Sequence, residues 1–461
     1  MSIADPSLLR LAAEHAIAHL EAVAARPAGA RASVTELRAA LSGPLPARGV
    51  PGPQVIDELV RDADPGLVAS PGPRYFGFVT GGALPAALAA DWLAAAWDQN
   101  AFSAVSSPAA AAVEEVAAEW LKELLGLPGG ASVGLVTGAQ MANVTALAAA
   151  RHRVLEAVGW DVADRGLVGA PPVSVIVGAE AHVTVLRALR LLGFGTGTVT
   201  EVPVDGQGRM RADALARALA GEGPAIVCAQ AGNVNTGACD PLDDIVTAAR
   251  ARGAWVHVDG AFGLWAAASP PLAPLVAGAD AAHSWATDAH KWLNVPYDCG
   301  VVAVADPAAH HAAMALTAAY LTRAGEGERS NSDWAPEASR RARGFAVYAA
   351  LRALGRDGVA DLVDRCCALA RRMAAALGAD PALTVLNDVV LNQVLVQVGD
   401  AAVTDAAVAA VQRDGTCWLA GTHWQGRPAI RISISNWATT EADVERAAAA
   451  IGAAVRSAFA Q

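Results

Sequence analysis

The chain has 461 residues, 54% of them apolar and 17% charged, with a formal net charge of −11. So apolar a composition excludes a disordered protein, and the acidic balance leaves no basic stripe to neutralise phosphates, which excludes nucleic acid as a partner. The opening MSIADPSLLR lacks a basic stretch followed by an apolar core, and the uncharged run 262–279 is broken by three prolines, so neither a signal peptide nor a membrane span is expected and a cytoplasmic location is.

Asp5 followed by Pro6 is an N-cap with proline at the first helical position. The stretch after it sets Leu9, Ala13, Ile17, Leu20 and Val23 along one face, an amphipathic helix whose apolar stripe needs something to dock on. The segments SGPLPARGVPGP and SPGPRYFG separate it from the rest of the chain, so residues 1–79 read as an arm. From 80 to 345 the β-branched runs VSVIVG, TGTVTEVPV, AIVCAQAG, AWVHVDG and GVVAVAD alternate with helical stretches. That alternation predicts an α/β unit with a largely parallel sheet. Residues 346–461 begin with the helical AVYAALRALGRDGVADLVDRCCALARRMAAAL, pass through LNQVLVQV and PAIRISISN, and end in a helix from Glu441. They predict a smaller α+β domain. The six cysteines, at 228, 239, 299, 366, 367 and 417, show no metal-type spacing and read as small buried hydrophobes.

Four places in this chain suit chemistry. In AWVHVDGAFG a strand ends in Asp259, which puts a carboxylate at the C-terminal edge of a parallel sheet, where α/β proteins hold ligands. His257 lies on the same face, but no third ligand has a spacing that suggests a metal. Lys291, 32 residues beyond Asp259 in SWATDAHKWLNVPYDCG, follows the next strand and is flanked by His290 and Trp292. A lysine in such company is either a surface residue with an apolar stem or an amine held for covalent chemistry with an aldehyde. In GLVTGAQMANVTALAAAR a small-residue turn opens a helix, whose free N–H groups suit a phosphate. Neither GxxxxGK[ST] nor GxGxxG occurs there, which argues against a nicotinamide enzyme. In GAEAHVTVLRAL, His182 follows a strand and precedes a helix, where a cap role competes with a catalytic one. Together the four supply what bound pyridoxal 5'-phosphate requires: an amine, an acid for the ring nitrogen, phosphate donors and a flat side chain over the ring.

With HVDGAFG, DAHKWLNVPYDCG and SPAAAAVEE in place, the sequence resembles the pyridoxal-phosphate-dependent amino acid decarboxylases, the group of the aromatic, histidine and glutamate enzymes, over about residues 73–440. The resemblance implies the fold of the aspartate aminotransferase type (fold type I), with a mixed seven-stranded sheet, and a homodimer wrapped by the N-terminal arm. It implies that Lys291 joins the cofactor aldehyde, that Asp259 pairs with the ring nitrogen, and that His182 and Ala261 lie on opposite faces of the ring. Ala139, Gln140 and Ser284 would hold the phosphate, with Asp288 and His290 lining the site. Tyr320, 29 residues after Lys291 in TAAYLTRAGEGERS, would be the proton donor to Cα on a closing loop, where aldehyde-forming relatives carry phenylalanine. Phe76, Phe78, Thr80, Phe102 and Arg431 would line the substrate pocket. Val234 and Ala289 depart from the threonine and proline of animal aromatic decarboxylases and leave the substrate open. Decarboxylation of an L-amino acid to the amine and CO₂ is the expected reaction, with an aromatic side chain slightly favoured and an aldehyde-forming or non-aromatic reaction as the alternative.

Overall fold

The computed structural model describes residues 5–315 and 329–460. Its large sheet contains β1 (Ser132–Val136), β2 (Ser174–Gly178), β3 (Thr200–Val202), β4 (Ala225–Gln230), β5 (Trp255–Asp259), β6 (Ser284–Asp288) and β7 (Gly300–Val304). The spatial order is β1-β7-β6-β5-β4-β2-β3. Strand β7 runs antiparallel to both β1 and β6, and the other pairs are parallel. The central strands β4, β5 and β6 are buried along their whole length, as strands covered by helices on both faces must be. The run TGTVTEVPV yields only three strand residues, because Thr196–Thr198 winds into a 3₁₀ turn.

A second, antiparallel sheet comprises β8 (Thr384–Val385), β9 (Gln393–Gln397), β10 (Ala420–Trp424) and β11 (Arg427–Ser433), in the order β10-β11-β9-β8. The helix Gly344–Gly378 carries the chain from one core to the other. Its first half, as far as Cys367, packs with the large-sheet cluster, and Leu369, Met373 and Leu377 pack with the small one. It is not continuous: Gly355 adopts φ +63, a left-handed conformation that suits a residue without Cβ and breaks the helical pairing.

The arm begins as its sequence suggests. Asp5 accepts from the N–H groups of Ser7 and Leu8 and caps the helix Pro6–Ala22. No residue of that helix or of the helices Val34–Leu41 and Gly52–Ala63 is buried. Leu9, Ile17, Leu59, Trp92 and Leu93 remain exposed on this side of the molecule. The end of the arm segment joins the small sheet: Phe76 N–H donates to Trp418 O at 2.8 Å, and Ser433 N–H donates to Phe76 O at 3.0 Å.

Candidate active site

The site grows from the C-terminal edges of β5 and β6. Asp259 ends β5, Asp288 ends β6, and Asp259 lies in register with Ala286 of the neighbouring strand. Two contacts fix the backbone of Asp288. Its N–H donates to Ala261 O at 2.9 Å, and its carbonyl accepts from the buried Trp265 indole at 3.1 Å. Lys291 follows in the turn to β7, with Nζ 2.9 Å from Asp288 Oδ2. The other oxygen of Asp288 accepts the Ala139 N–H at 2.6 Å and lies 3.5 Å from His290 Nε2. The amine therefore has a carboxylate partner, Asp288, three residues before it in the chain.

Ala139 opens the helix Ala139–Glu156, whose N-cap Gly138 offers no side-chain acceptor. A Cβ at Gly300 would strike the Gly138 backbone, so the start of β7 can close against this turn only as glycine. Gln140 reaches Thr184 O through Nε2 at 3.2 Å, while its buried Oε1 has no partner among the described residues.

Asp259 is 3% exposed. Its Oδ1 accepts from Ala261 N–H at 3.2 Å and its Oδ2 from Asn143 Nδ2 at 3.4 Å. Burial pushes its pKa up, and His182 and Lys291 oppose that shift. His182 caps the helix Val183–Leu191 through Nδ1, which accepts from Thr184 N–H at 3.3 Å, so the cap role is real. The same imidazole is also within electrostatic reach of Asp259, Lys291, Arg431 and Asp288, and burial lowers its pKa. Arg431, on β11, points the small sheet at this cluster. Its one described contact, to Val234 O, is long at 3.5 Å, and burial lowers its pKa.

The structure thus brings together Lys291, Asp259, His182, Asp288, His290, Ala261, Ala139, Gln140 and Arg431. It does not bring Ser284 to the sheet edge. Ser284 starts β6, four residues before Asp288 and roughly 13 Å back along the strand. Its Oγ is taken up by Trp255 Nε1 at 2.9 Å and His257 Nδ1 at 3.0 Å, so it supports the site from beneath and holds no phosphate. Nor is Phe76 a pocket residue. It is 1% exposed and packs in the small-domain core, so the alternation of the strand-like segment turns it away from the site. Phe78, by contrast, is 59% exposed against Trp418, and Phe78 and Val79 both adopt φ +55, which costs a β-branched residue about 1–3 kcal/mol. The segment continues past Thr80, itself buried, into Gly82, whose N–H donates to Asn294 Oδ1 at 2.5 Å. Phe102 lies in the loop whose carbonyl accepts from Ser332 N–H, and no described contact joins it to Lys291, Asp259 or His182. Tyr320 lies outside the described residues.

Two residues were not singled out from the sequence. Asn143 stands one helical turn past Ala139, a buried amide in an alanine-rich helix, and that polarity is the signal that marks it. Tyr297 is 61% exposed, tilted over His290 at 4.3 Å between centroids, and it raises the pKa of Tyr75, which burial chiefly pushes to about 12. Nothing in VPYDCG marked it as more than a turn residue.

The sequence profile of the pyridoxal-dependent decarboxylase conserved domain matches residues 36–398. The chain belongs to this family. It is 33% identical over 385 residues to the L-2,4-diaminobutyrate decarboxylase of Rhizobium meliloti, covering 80% of this chain and 75% of that one. It is 27% identical over 370 residues to the aromatic-L-amino-acid decarboxylase of Bacillus atrophaeus, with 78% and 75% covered. A crystal structure of the Oryza sativa TDC with PLP and tryptamine shares the fold, with a TM-score of 0.91 at 23% identity over 99% of both chains. The protein is a PLP-dependent decarboxylase with the fold expected of that family, and its cofactor is pyridoxal phosphate. The residues present suit that group. Asp259 is a buried carboxylate hydrogen-bonded, among the described residues, only by neutral donors and within electrostatic reach of Lys291, and Asp288 ties that amine to a helix N-terminus.

Proposed function

We propose that the protein decarboxylates an L-amino acid with an aromatic side chain to the corresponding amine. The observation that carries this reading is the convergence of Lys291, Asp259 and His182 at the C-terminal edges of neighbouring strands, within electrostatic reach of one another. Bound pyridoxal phosphate supplies a cationic ring that accepts the electrons left behind as CO₂ departs. Lys291 would hold its aldehyde carbon, Asp259 its ring nitrogen, and the first turn of the helix Ala139–Glu156 its phosphate, with His182 flat against the ring. Asp288 orients the Lys291 amine through the 2.9 Å ion pair, and His290, fixed by the Cys299 N–H at 3.0 Å, steadies Asp288. Arg431 has N–H groups left over to orient the substrate. The proton delivered to Cα comes from Tyr320.

Tyr297, exposed over His290, supports an aromatic substrate, and Phe78 offers a second exposed ring on the segment whose Gly81 abuts the Lys291 backbone. A second reading has its own support. Glu180, at the end of the turn before His182, has no ion pair among the described residues, and burial raises its pKa. It would suit the ammonium of a diamino acid, and the Rhizobium meliloti relative is named for one.

The test is a panel of tyrosine, tryptophan, dopa, 2,4-diaminobutyrate and glutamate, with CO₂ and amine measured for each. Turnover concentrated on the aromatic members supports the first reading, and a preference for diaminobutyrate replaces it with the second. Tyr320→Phe is expected to divert product from amine to aldehyde; unchanged amine output removes Tyr320 as the donor.

We also propose that two copies pair through the exposed arm face, as the resemblance implied. The row of uncovered side chains from Leu9 to Leu93 supports this.

A further inference from the structure

Beneath Asp259 lies a chain of four fully buried groups that the proposed reaction does not itself use. Trp255, His257 and Asp259 alternate along β5 and so share one face. Ser284 is the register partner of His257 on β6, and Asn143 projects from the helix packed above. The contacts run Trp255 Nε1 to Ser284 Oγ at 2.9 Å, Ser284 Oγ to His257 Nδ1 at 3.0 Å, His257 Nε2 to Asn143 Oδ1 at 2.8 Å, and Asn143 Nδ2 to Asp259 Oδ2 at 3.4 Å.

The two ends together fix the direction. An indole N–H only donates, so Ser284 Oγ accepts from it and keeps its own proton free for His257 Nδ1. The neutral imidazole then carries its proton on Nε2 and donates to the Asn143 oxygen. That leaves the Asn143 amide nitrogen facing Asp259. From the other end, a carboxylate only accepts, and it demands the same orientation of Asn143. Reversing any one link would set two acceptors or two donors against each other among buried groups, at a cost that favours this arrangement.

We propose that Trp255, Ser284, His257 and Asn143 form a one-way hydrogen-bond relay that aims and sustains the Asp259 carboxylate against the cofactor's ring nitrogen. The four are positioning residues that act through Asp259, and the proposal rests on the reading that Lys291 and Asp259 hold pyridoxal phosphate. Burial lowers His257 to about 3, so the relay contributes dipoles and no competing charge. The other groups facing Asp259 are the His182 imidazole, the Lys291 amine, the Ala261 N–H and, from β4, the Cys228 thiol, which burial pushes up to about 12. Arg431 and Asp288 act on the same cluster through His182.

The experiment loads the protein with cofactor labelled with ¹⁵N at the ring nitrogen and follows that resonance from pH 6 to 8. The wild type is expected to stay protonated throughout. Asn143→Ala is expected to lose the ring proton within that window and to lower kcat at least tenfold with KM changed less than threefold. Asn143→Ser, which restores a donor, is expected to recover most of both. Ser284→Ala removes a single oxygen and should move the resonance in the same direction, and it stands in if Asn143→Ala does not fold. Ring protonation that is the same in Asn143→Ala or its stand-in as in the wild type overturns the relay. Borohydride reduction and peptide mapping separate the two levels. An adduct on Lys291 with an unmoved ring resonance sinks the relay alone, whereas no adduct on Lys291 sinks the cofactor placement with it.

Discussion

Lys291 and Asp288 show how one side chain sets the task of another. The lysine is 19% exposed, and its nearest carboxylate also receives a helix N-terminal N–H, so the amine is tethered at a defined point beside the start of the helix Ala139–Glu156. Lys291→Ala is expected to abolish CO₂ release, and borohydride is expected to fix no cofactor on the variant; substantial residual turnover would remove Lys291 from the chemistry. Phe76 and Phe78 make a contrasting pair two residues apart. Phe76→Ala empties a packed core and is expected to cost about 3–5 kcal/mol in chemical denaturation. Phe78→Ala keeps a Cβ and so the cost of the positive φ, leaves stability within about 0.5 kcal/mol, and raises KM for an aromatic substrate. A rise in KM from Phe76 substitutions that keep stability intact would return Phe76 to the pocket.

At the scale of elements, two buried histidines tie strands and helices to pH. His257 on β5 and His310 in the helix Pro307–Met314 are both 0% exposed, and burial lowers each to about 3 from an ordinary 6.5. His310 is held by Ser132 Oγ at 2.8 Å, which ties its helix to β1. Below pH 6.5 the unfolded chain binds protons at these positions and the folded chain does not. Stability is therefore full above 6.5 and falls as the pH drops from 6.5 toward 3, by about 1.4 kcal/mol per unit for each histidine. Urea midpoints measured across this range are expected to show that decline. His310→Gln is expected to make it shallower, and an unchanged slope would mean that His310 is not the titrating group. The helix Ala139–Glu156 adds a second lesson. Its sequence marked it as a helix whose first N–H groups serve the site, yet the Ala139 N–H goes to Asp288 and Asn143 goes to His257 and Asp259, partners that only the packing supplies.

For the whole molecule, the arm is the part whose stability is least self-contained. Its three helices bury none of their residues within the chain, while Leu9, Ile17, Leu59 and Trp92 stay open to solvent. Covering such a face against a second copy removes apolar area at about 25 cal/mol per Å². Light scattering on the eluted protein is expected to give twice the chain mass. Leu9→Glu combined with Leu59→Glu is expected to shift it toward the monomer and lower activity, and a monomeric wild type would sink the pairing.

Much of the architecture is legible in the linear order of residues, for a physical reason. Asp-Pro caps, β-branched runs and the Asp259 and Lys291 spacing are local signals, and a parallel sheet places strand ends on one edge wherever the helices between them pack. That is enough to bring the Lys291 amine and the Asp259 carboxylate together. What tertiary structure alone decided was the use of groups whose role depends on facing partners. Ser284 and Asp288 bracket the same strand, but strand direction sends one to the floor and the other to the rim. Phe76 and Phe78 differ by where the small sheet lies. Asn143 acquires meaning only because a helix sets it between His257 and Asp259, residues more than a hundred positions further along the chain. Hydrogen-bond direction and burial belong to pairs in space, and a one-dimensional string does not contain them.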